Sequence, residues 1–199
     1  MMKEVQIQSS FNHKNILKLY SVKENFDYLF LVMEIVEGGT LKELIEDRYY
    51  SKSEFFTDYE CSLIIKNILE GLNYIHSKKI IHRDIKPGMF IFLKKIENIM
   101  FKNKKDFNSL KITDFGFSTV CDDDRETVDC GTLIYKSPEQ ISGKFYDSYI
   151  DTWATGYILY ILLSGGSHPL YINGMTYDEY VNKFKSQTEW NFPPQFPMY

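Results

Sequence analysis

The sequence predicts an α+β fold in which a small, strand-containing N-terminal part precedes a mostly helical body. Two runs rich in branched and aromatic residues, 16–22 and 28–36, flank a turn at 25–27, as in an antiparallel hairpin. Apolar residues recur at helical spacing from Leu63 to Ile75. Residues 147–163 are apolar on most faces, which is typical of a helix at the centre of a domain. Strands therefore come first and long helices follow.

The other elements are predicted from local signals. Thr40 has the character of a helix N-cap, and so has Thr57 or Asp58 before the long helix. A basic stretch, 94–111, contains two strand-like runs. In chain order, the expected helices are 1–10, 41–46, 57–75, 147–163 and 176–185.

Composition limits the classes of function. The chain has 199 residues, a net charge of −4, 44% hydrophobic residues and 16% aromatic residues, which is typical of a globular domain. Mild acidity argues against a dedicated binder of nucleic acid or of an anionic membrane. The apolar run 153–163 is too short to span a bilayer. Three cysteines without CxxC spacing and an N-terminus without an apolar signal segment predict a cytoplasmic protein.

Three short motifs carry the chemistry. Each is common as an ordinary turn or helix cap when it occurs alone. Their order, after one long amphipathic helix and before a buried one, makes chance a poor explanation. The motifs are Ile81-His82-Arg83-Asp84-Ile85-Lys86-Pro87, Thr113-Asp114-Phe115-Gly116, and Gly131-Thr132-Leu133-Ile134-Tyr135-Lys136-Ser137-Pro138-Glu139.

At these motifs the chain resembles the eukaryotic protein kinase family, in its Ser/Thr branch. It is similar to calcium/calmodulin-dependent and Aurora-like kinases. Glu4 looks like the glutamate of the helix αC, and Met33-Glu34-Ile35-Val36 looks like the hinge. The resemblance implies a protein-kinase-like fold over residues 1–199. Residues 1–36 would be a partial N-lobe with αC and the hinge strands, and 37–199 an incomplete, mostly helical C-lobe up to the αG region.

The resemblance implies a catalytic set and a binding set for ATP and Mg²⁺. Asp84 would orient the substrate hydroxyl and accept its proton, and Lys86 would neutralise charge on the γ-phosphate. Asp114 and Asn98 would be the Mg²⁺ ligands, because a hard cation prefers oxygen. Backbone groups of Glu34 and Val36 would bind adenine, so those side chains would matter little. The full nucleotide-binding set is Met33, Glu34, Val36, Met100 and Asp114.

Regulation is a further implication of the resemblance. Arg83 would pair with a phosphate on the activation loop. The usual acceptor position is Val128 in this chain, and Thr127 lies one residue away. Phosphorylation of Thr127 is therefore a hypothesis. His82 is expected to pack under Phe115 and not to act as a base.

The chain departs from the family pattern in two respects that bear on activity. It contains no glycine-rich loop and no strand bearing a lysine to pair with Glu4, and it offers no late arginine for Glu139. We therefore expect a domain truncated at both ends, with little or no activity. Three readings stay open: a Ser/Thr kinase that acts on proteins, a pseudokinase-like binding module, and a fragment without autonomous function. Its oligomeric state is not predicted.

The other departure is an interruption of the catalytic loop. The family places asparagine five residues after the catalytic aspartate, but position 89 is Met. Joining Pro87 directly to Glu97-Asn98 would restore the pattern, so 88–96 are predicted to be an insert. Codons for its two ends can be written to contain GTATG and ATAG, which resemble splice signals. A retained intron and a genuine loop insertion both fit, and transcript sequencing separates them.

Overall fold

The computed structural model of the protein describes residues 2–87, 98–122, 125–190, 192 and 196. Its helices are α1 (Met2–Ser9), α2 (Leu41–Glu46), α3 (Asp58–His76), α4 (Pro138–Ile141), α5 (Tyr149–Leu163) and α6 (Tyr177–Ser186). Its strands are β1 (Leu19–Glu24), β2 (Leu29–Met33), β3 (Ile80–Ile81), β4 (Ile99–Phe101), β5 (Leu110–Ile112) and β6 (Thr119–Val120). The predicted α+β class and element order are confirmed. The predicted insert, 88–96, lies outside the described residues.

The strands of the described residues form small antiparallel pairs. β1 pairs with β2, β3 with β6, and β4 with β5. The first hairpin is shorter than the runs that predicted it. Ile16 bridges to Ile112 of β5, and the Leu17 N–H donates to the Ile112 carbonyl at 2.9 Å. The start of the first run therefore belongs to the helical body, and β1 begins only at Leu19.

The core lies mainly between α3 and α5. Ile64, Ile68 and Ile75 on α3 are fully buried. Ile158 and Leu162 of α5 belong to the same hydrophobic cluster and are also fully buried. Because apolar burial stabilises by about 25 cal/mol per Å², these fully buried side chains stabilise the helical body.

Short-range hydrogen bonds decide where most of these helices begin. Thr57 caps α3, because its side chain accepts the Glu60 N–H and the Glu60 carboxylate accepts the Thr57 N–H. The same reciprocal box opens α2, α4 and α6. Such boxes satisfy orphan N–H groups at the first turn. No helix in the described parts of the chain combines the length and the apolar character needed to cross a bilayer.

A pair of adjacent side chains on α3 tests the core assignment. Ile68 is fully buried, whereas Leu69 is 41% exposed beside a groove between α3 and α5. Ile68→Ala is expected to lower the free energy of unfolding by about 2–5 kcal/mol, because it leaves a cavity. Leu69→Ala, the matched control, is expected to cost about 1 kcal/mol or less. Urea unfolding measures both, and equal losses would refute this packing.

A buried histidine makes the body sensitive to acid. The His168 Nε2–H donates to the Ile134 carbonyl at 2.9 Å, and Nδ1 accepts the N–H groups of Leu170 and Tyr171. Burial lowers the pKa of His168 from 6.5 to about 4. The unfolded chain binds the proton more readily between these values, so stability is fully present above pH 6.5 and is lost as the pH falls toward 4.

We expect the free energy of unfolding to fall by about 2 kcal/mol between pH 7 and pH 5 on account of His168. His168→Gln should be less stable at pH 7 and should show a correspondingly smaller pH slope. Urea unfolding at the two pH values measures this difference. A variant with the same slope as the wild type would exclude His168 as the source.

Candidate active site

Three side chains converge on the carboxylate of Asp84: Lys86 from the same loop, and Asn98 and Thr132 from two other segments. Oδ2 accepts hydrogen bonds from Lys86 Nζ at 2.6 Å and from Asn98 Nδ2 at 2.9 Å. Oδ1 accepts the Thr132 hydroxyl at 2.7 Å, and Lys86 Nζ also donates to Thr132 Oγ1 at 2.9 Å. Asp84 is 4% exposed. A buried carboxylate is stable only when it is hydrogen-bonded and paired, and here it is both.

Asn98 reaches this carboxylate although it follows the predicted insert. Its Nδ2 also donates to the Asp84 backbone carbonyl at 2.6 Å. The Asn98 carbonyl accepts the Thr113 N–H at 2.9 Å, which continues the β4–β5 pairing toward Asp114. The sheet register, and not proximity in the chain, therefore brings Asn98 to Asp84 and next to the segment that carries Asp114.

The loop that carries Asp84 is fixed from below by Asp151 in the first turn of α5. Asp151 is 1% exposed, and its two oxygens accept the His82 and Arg83 N–H groups at 2.9 Å each. His76 Nε2 lies 2.8 Å from Asp151 Oδ2. Arg83 has φ 71, a conformation that costs on the order of 1–3 kcal/mol and persists only where surrounding contacts enforce it. The anchoring role of Asp151 was not predicted from the sequence.

A row of rings in edge-on and tilted contact connects the Asp84 loop to the Asp114 motif. The rings of His82 and Phe115 lie 5.0 Å apart, and those of Phe115 and Phe11 lie 4.8 Å apart. His82 Nε2–H donates to the Thr113 carbonyl at 3.0 Å, while Nδ1 accepts the Asp84 N–H at 3.3 Å. Both nitrogens of His82 are therefore occupied. The prediction that His82 packs with Phe115 is confirmed.

Asp114 sits in a left-handed turn with φ 58. Its Oδ1 accepts the Gly116 N–H at 3.2 Å, and the side chain is half-buried. The Glu4 carboxylate of α1 lies beside the same turn, 3.9 Å from the position that a Cβ at Gly116 would take. Within the described part of the chain, Glu4 has no ion-pair partner. α1 thus brings an acidic group to the edge of the site.

The donor set fits a magnesium ion. Asn98 is fully buried, and its Oδ1 accepts no hydrogen bond from the residues that the structure describes. A buried carbonyl oxygen without a partner costs free energy unless a donor or cation completes it. Mg²⁺ typically takes one or two protein oxygens and fills its remaining positions with phosphate and water. Asn98 and Asp114 can supply those oxygens, and no group of three or more metal-binding side chains occurs among the described residues.

The hinge is fixed by the side chain of Glu34. Its carboxylate accepts hydrogen bonds from Lys111 Nζ at 2.8 Å and Lys102 Nζ at 3.0 Å, and the side chain is 8% exposed. Burial raises the pKa of Glu34, but the bonds from Lys111 and Lys102 outweigh it and leave the pKa below its ordinary value. The Glu34 carboxylate therefore has a structural role apart from base recognition, because it joins the end of β2 to Lys102 after β4 and to Lys111 in β5.

The residues after the hinge lie directly against β4. The Gly38 N–H donates to the Phe101 carbonyl and the Phe101 N–H donates to the Gly39 carbonyl, each at 2.9 Å. A Cβ at Gly38 would lie 2.6 Å from backbone oxygens, so only glycine fits there. Met100 in β4 is half-buried, and Met33 at the end of β2 is 39% exposed. The hinge strand and Met100 are thereby held on neighbouring segments.

Comparison with known proteins agrees with this arrangement. The family described as "Protein kinase domain" matches residues 1–197. The chain is 38% identical over 184 residues to calcium-dependent protein kinase 5 of Plasmodium berghei, which covers 92% of this chain and 30% of that protein. It is 36% identical over 192 residues to Aurora kinase A-A of Xenopus laevis, covering 96% of this chain and 42% of that protein.

A third relative is calcium/calmodulin-dependent protein kinase type 1 of Caenorhabditis elegans, 30% identical over 190 residues, with 96% of this chain and 50% of that protein covered. The chain spans half or less of the length of these relatives. The family match, these relatives and the geometry around Asp84 agree, and the chain belongs to the eukaryotic protein kinase family, in its Ser/Thr branch.

Proposed function

We propose that this site transfers the γ-phosphate of Mg·ATP to serine or threonine hydroxyls of protein substrates. The observation that carries the proposal is the convergence of Lys86, Asn98 and Thr132 on the Asp84 carboxylate. Phosphoryl transfer needs little covalent chemistry from the protein, so catalysis is mainly positioning and electrostatics. A carboxylate, an ammonium and a free amide oxygen held within one buried cluster suit that task. The relatives' names are those of protein kinases, which supports the same activity.

Each residue has a proposed role in the transfer. Asp84 Oδ1 or Oδ2 orients the substrate hydroxyl and accepts its proton. Lys86 Nζ, which is fixed by Asp84 and Thr132, neutralises charge on the transferred group. Asn98 Oδ1 and Asp114 would hold Mg²⁺, which when bound offsets the negative charge of the phosphates. Thr132 keeps Asp84 and Lys86 at hydrogen-bond distance from each other.

The nucleotide is proposed to bind along the hinge. Backbone groups of Glu34 and Val36 would hydrogen-bond adenine, with Met33 and Met100 in contact with the base. The ion pairs of Glu34 with Lys111 and Lys102 support this, because they immobilise the backbone groups that would hydrogen-bond adenine. Preorganised backbone groups bind without an ordering cost.

The 199 residues are proposed to be impaired as an enzyme, with phosphate transfer slowed but still measurable. Glu4 reaches the Asp114 turn without an ion-pair partner in the described residues, and the sequence contains no glycine-rich loop. Phosphate positioning supplies a large part of rate enhancement, so its loss lowers transfer. A pseudokinase-like binding module is the second candidate, and the isolated Glu4 carboxylate is the observation that favours it.

Residues 1–199 are proposed to form a partial kinase domain, and residues 88–96 an insert within it. Both flanks are held by the domain: the Pro87 carbonyl accepts the Lys42 N–H at 3.1 Å, and Asn98 bonds to Asp84. The family spacing would need one residue between Pro87 and Asn98. The flanks can therefore keep their contacts without the intervening segment.

Removing the general base tests the activity. We expect Asp84→Asn to lower the rate of ³²P transfer from Mg·[γ-³²P]ATP to a Ser/Thr peptide library by about 10²–10⁴-fold, the usual contribution of a positioned base. Asp27→Asn, which changes an exposed carboxylate in the first hairpin, is the control and should retain the wild-type rate. Equal rates for Asp84→Asn and the wild type, or no transfer by the wild type, would refute the proposed function. Binding of Mg·ATP without transfer would favour the binding module.

Deleting residues 88–96 tests the insert. We expect the shortened chain to be as stable as the wild type or more stable by on the order of 1–2 kcal/mol, because a shorter loop loses less entropy on closure. Transfer should be equal or faster. A chain in which 88–96 is replaced by a Gly/Ser segment of the same length separates length from composition. Urea unfolding measures the stability of the wild type, the deletion and the Gly/Ser chain. Clear destabilisation by the deletion would mean that residues 88–96 are part of the domain.

A further inference from the structure

Arg83, the neighbour of Asp84, is a buried cation that needs a partner. Its side chain is 9% exposed. Nε donates to the Phe117 carbonyl at 2.6 Å, and Nη1 lies 3.4 Å from the Tyr146 hydroxyl. Neither contact carries a full negative charge, and an uncompensated buried charge is strongly destabilising. The sequence predicted that a phosphate on the activation loop would supply that charge.

The negative charge beside Arg83 is instead the carboxylate of Glu126. Glu126 Oε2 lies 3.3 Å from Arg83 Nη1. Thr127, the hypothetical phosphorylation site, is exposed, and its N–H donates to Glu126 Oε1 at 2.9 Å. The arginine is therefore paired by a carboxylate encoded in the sequence at the position next to the hypothetical phosphate acceptor.

Glu126 is fixed in this position from several directions. Its Oε1 accepts the Val128 N–H at 3.3 Å, in addition to that of Thr127. Its own N–H and carbonyl pair with the backbone of Tyr146 at 2.8 and 2.9 Å. The hydrogen bond from the Thr127 N–H is the largest influence on the pKa of Glu126, and it lowers that pKa. Burial raises the pKa, but the bond from the Val128 N–H and the charge of Arg83 lower it further, so the pKa lies below its ordinary value. The carboxylate is therefore charged at neutral pH.

Tyr146 completes the unit. It is 5% exposed and packs with Ile81 and Ile150. Its hydroxyl donates to the Val128 carbonyl at 2.6 Å, and burial raises its pKa to about 12, so it remains a donor. Tyr146 thus links both sides of Thr127 to the buried cluster with Ile81 and Ile150, through its backbone at Glu126 and through its hydroxyl at Val128.

The far end of the same segment contacts Asp84 directly. Gly131 has φ +80, and a Cβ there would lie 2.3 Å from the Arg83 carbonyl. The next residue, Thr132, donates its hydroxyl to Asp84 Oδ1. Residues 126–132 are therefore tied to the Asp84 loop twice, at Glu126 through Arg83 and at Thr132 through Asp84. Fixing the segment at Glu126 therefore limits the positions that Thr132 can take beside Asp84.

We propose that Glu126 is a positioning residue that supplies a permanent anion to Arg83 and so orders residues 126–132 against Asp84 without phosphorylation of Thr127. The inference rests on the proposed kinase function for its catalytic consequence, although the ion pair itself does not. Glu126 touches no reacting group in this scheme and acts through Arg83 and Thr132.

The test uses the whole chain with two independent readouts, hydrogen exchange of residues 126–132 and steady-state transfer kinetics. Glu126→Gln keeps the shape and removes the charge, and Glu126→Asp keeps the charge. Glu54→Gln removes an exposed carboxylate ahead of α3 and is the matched control. Thr127→Ala and phosphatase treatment of the wild type remove any phosphate at that site.

We expect Glu126→Gln to speed exchange in 126–132 by about tenfold or more and to lower kcat by about tenfold, with the KM for ATP within about twofold. Glu126→Asp should recover part of both losses. Glu54→Gln, Thr127→Ala and phosphatase treatment should leave kcat within about twofold of the wild type.

Three results would overturn the inference: unchanged exchange in Glu126→Gln, faster exchange with unchanged kcat, or loss of activity on Thr127→Ala or phosphatase treatment. If the wild type transfers no phosphate, the proposed function fails by itself. Exchange then decides the inference, because faster exchange in Glu126→Gln supports the anchor and unchanged exchange refutes it.

Discussion

The geometry of the candidate site depends on one buried carboxylate, that of Asp151. Asp151 lies at the start of the most apolar helix and is buried, so its carboxylate accepts hydrogen bonds from protein groups and not from solvent. The fold presents the N–H groups of His82 and Arg83, and the pair holds Arg83 in a left-handed conformation. A charged acceptor makes stronger hydrogen bonds than a neutral one, and that strength offsets the backbone strain. The direction of Asp84 follows from this anchor.

Three ion pairs around the site are buried wholly or in large part. Lys86 meets Asp84, Lys111 meets Glu34, and Arg83 meets Glu126. Buried pairs contribute little net stability compared with apolar residues of the same volume, because both charges lose water. Removing one partner is costly, however, since it leaves the other charge without compensation. These pairs therefore serve mainly to fix geometry: the Asp84 loop, the segment after β2 and residues 126–132 each contain one.

The pairs also connect parts of the chain that differ in stability. Asp151 lies in α5, which contributes to the main hydrophobic cluster, and Tyr146 packs in a smaller buried cluster that includes Ile150 of α5. None of residues 126–132 is fully buried, and the segment is held by the contacts of Glu126 with Arg83, of Val128 with Tyr146, and of Thr132 with Asp84. Segments with few buried contacts open locally at low free energy. The ion pair of Glu126 with Arg83 at one end, and the hydrogen bond of Thr132 to Asp84 at the other, restrict the local opening of this segment beside the site.

The sequence by itself determined the order of the elements and most helix starts, and it predicted Asp84, Lys86, Asn98 and Asp114 as candidate site residues. Capping boxes, apolar periodicity and short motifs act between residues a few positions apart, so their signal is present in the linear chain. Thr57 and Glu60 illustrate this, since each is the other's partner three residues away.

Only the tertiary structure decided which distant groups meet. Nothing local in the sequence joins Asp151 to His82, Glu34 to Lys111, or Glu126 to Arg83. A charged side chain on the surface and one in a buried pair have the same letter in the sequence. Their difference arises from the position of the backbone after packing, because a partner that is absent in the extended chain becomes obligatory once water is excluded.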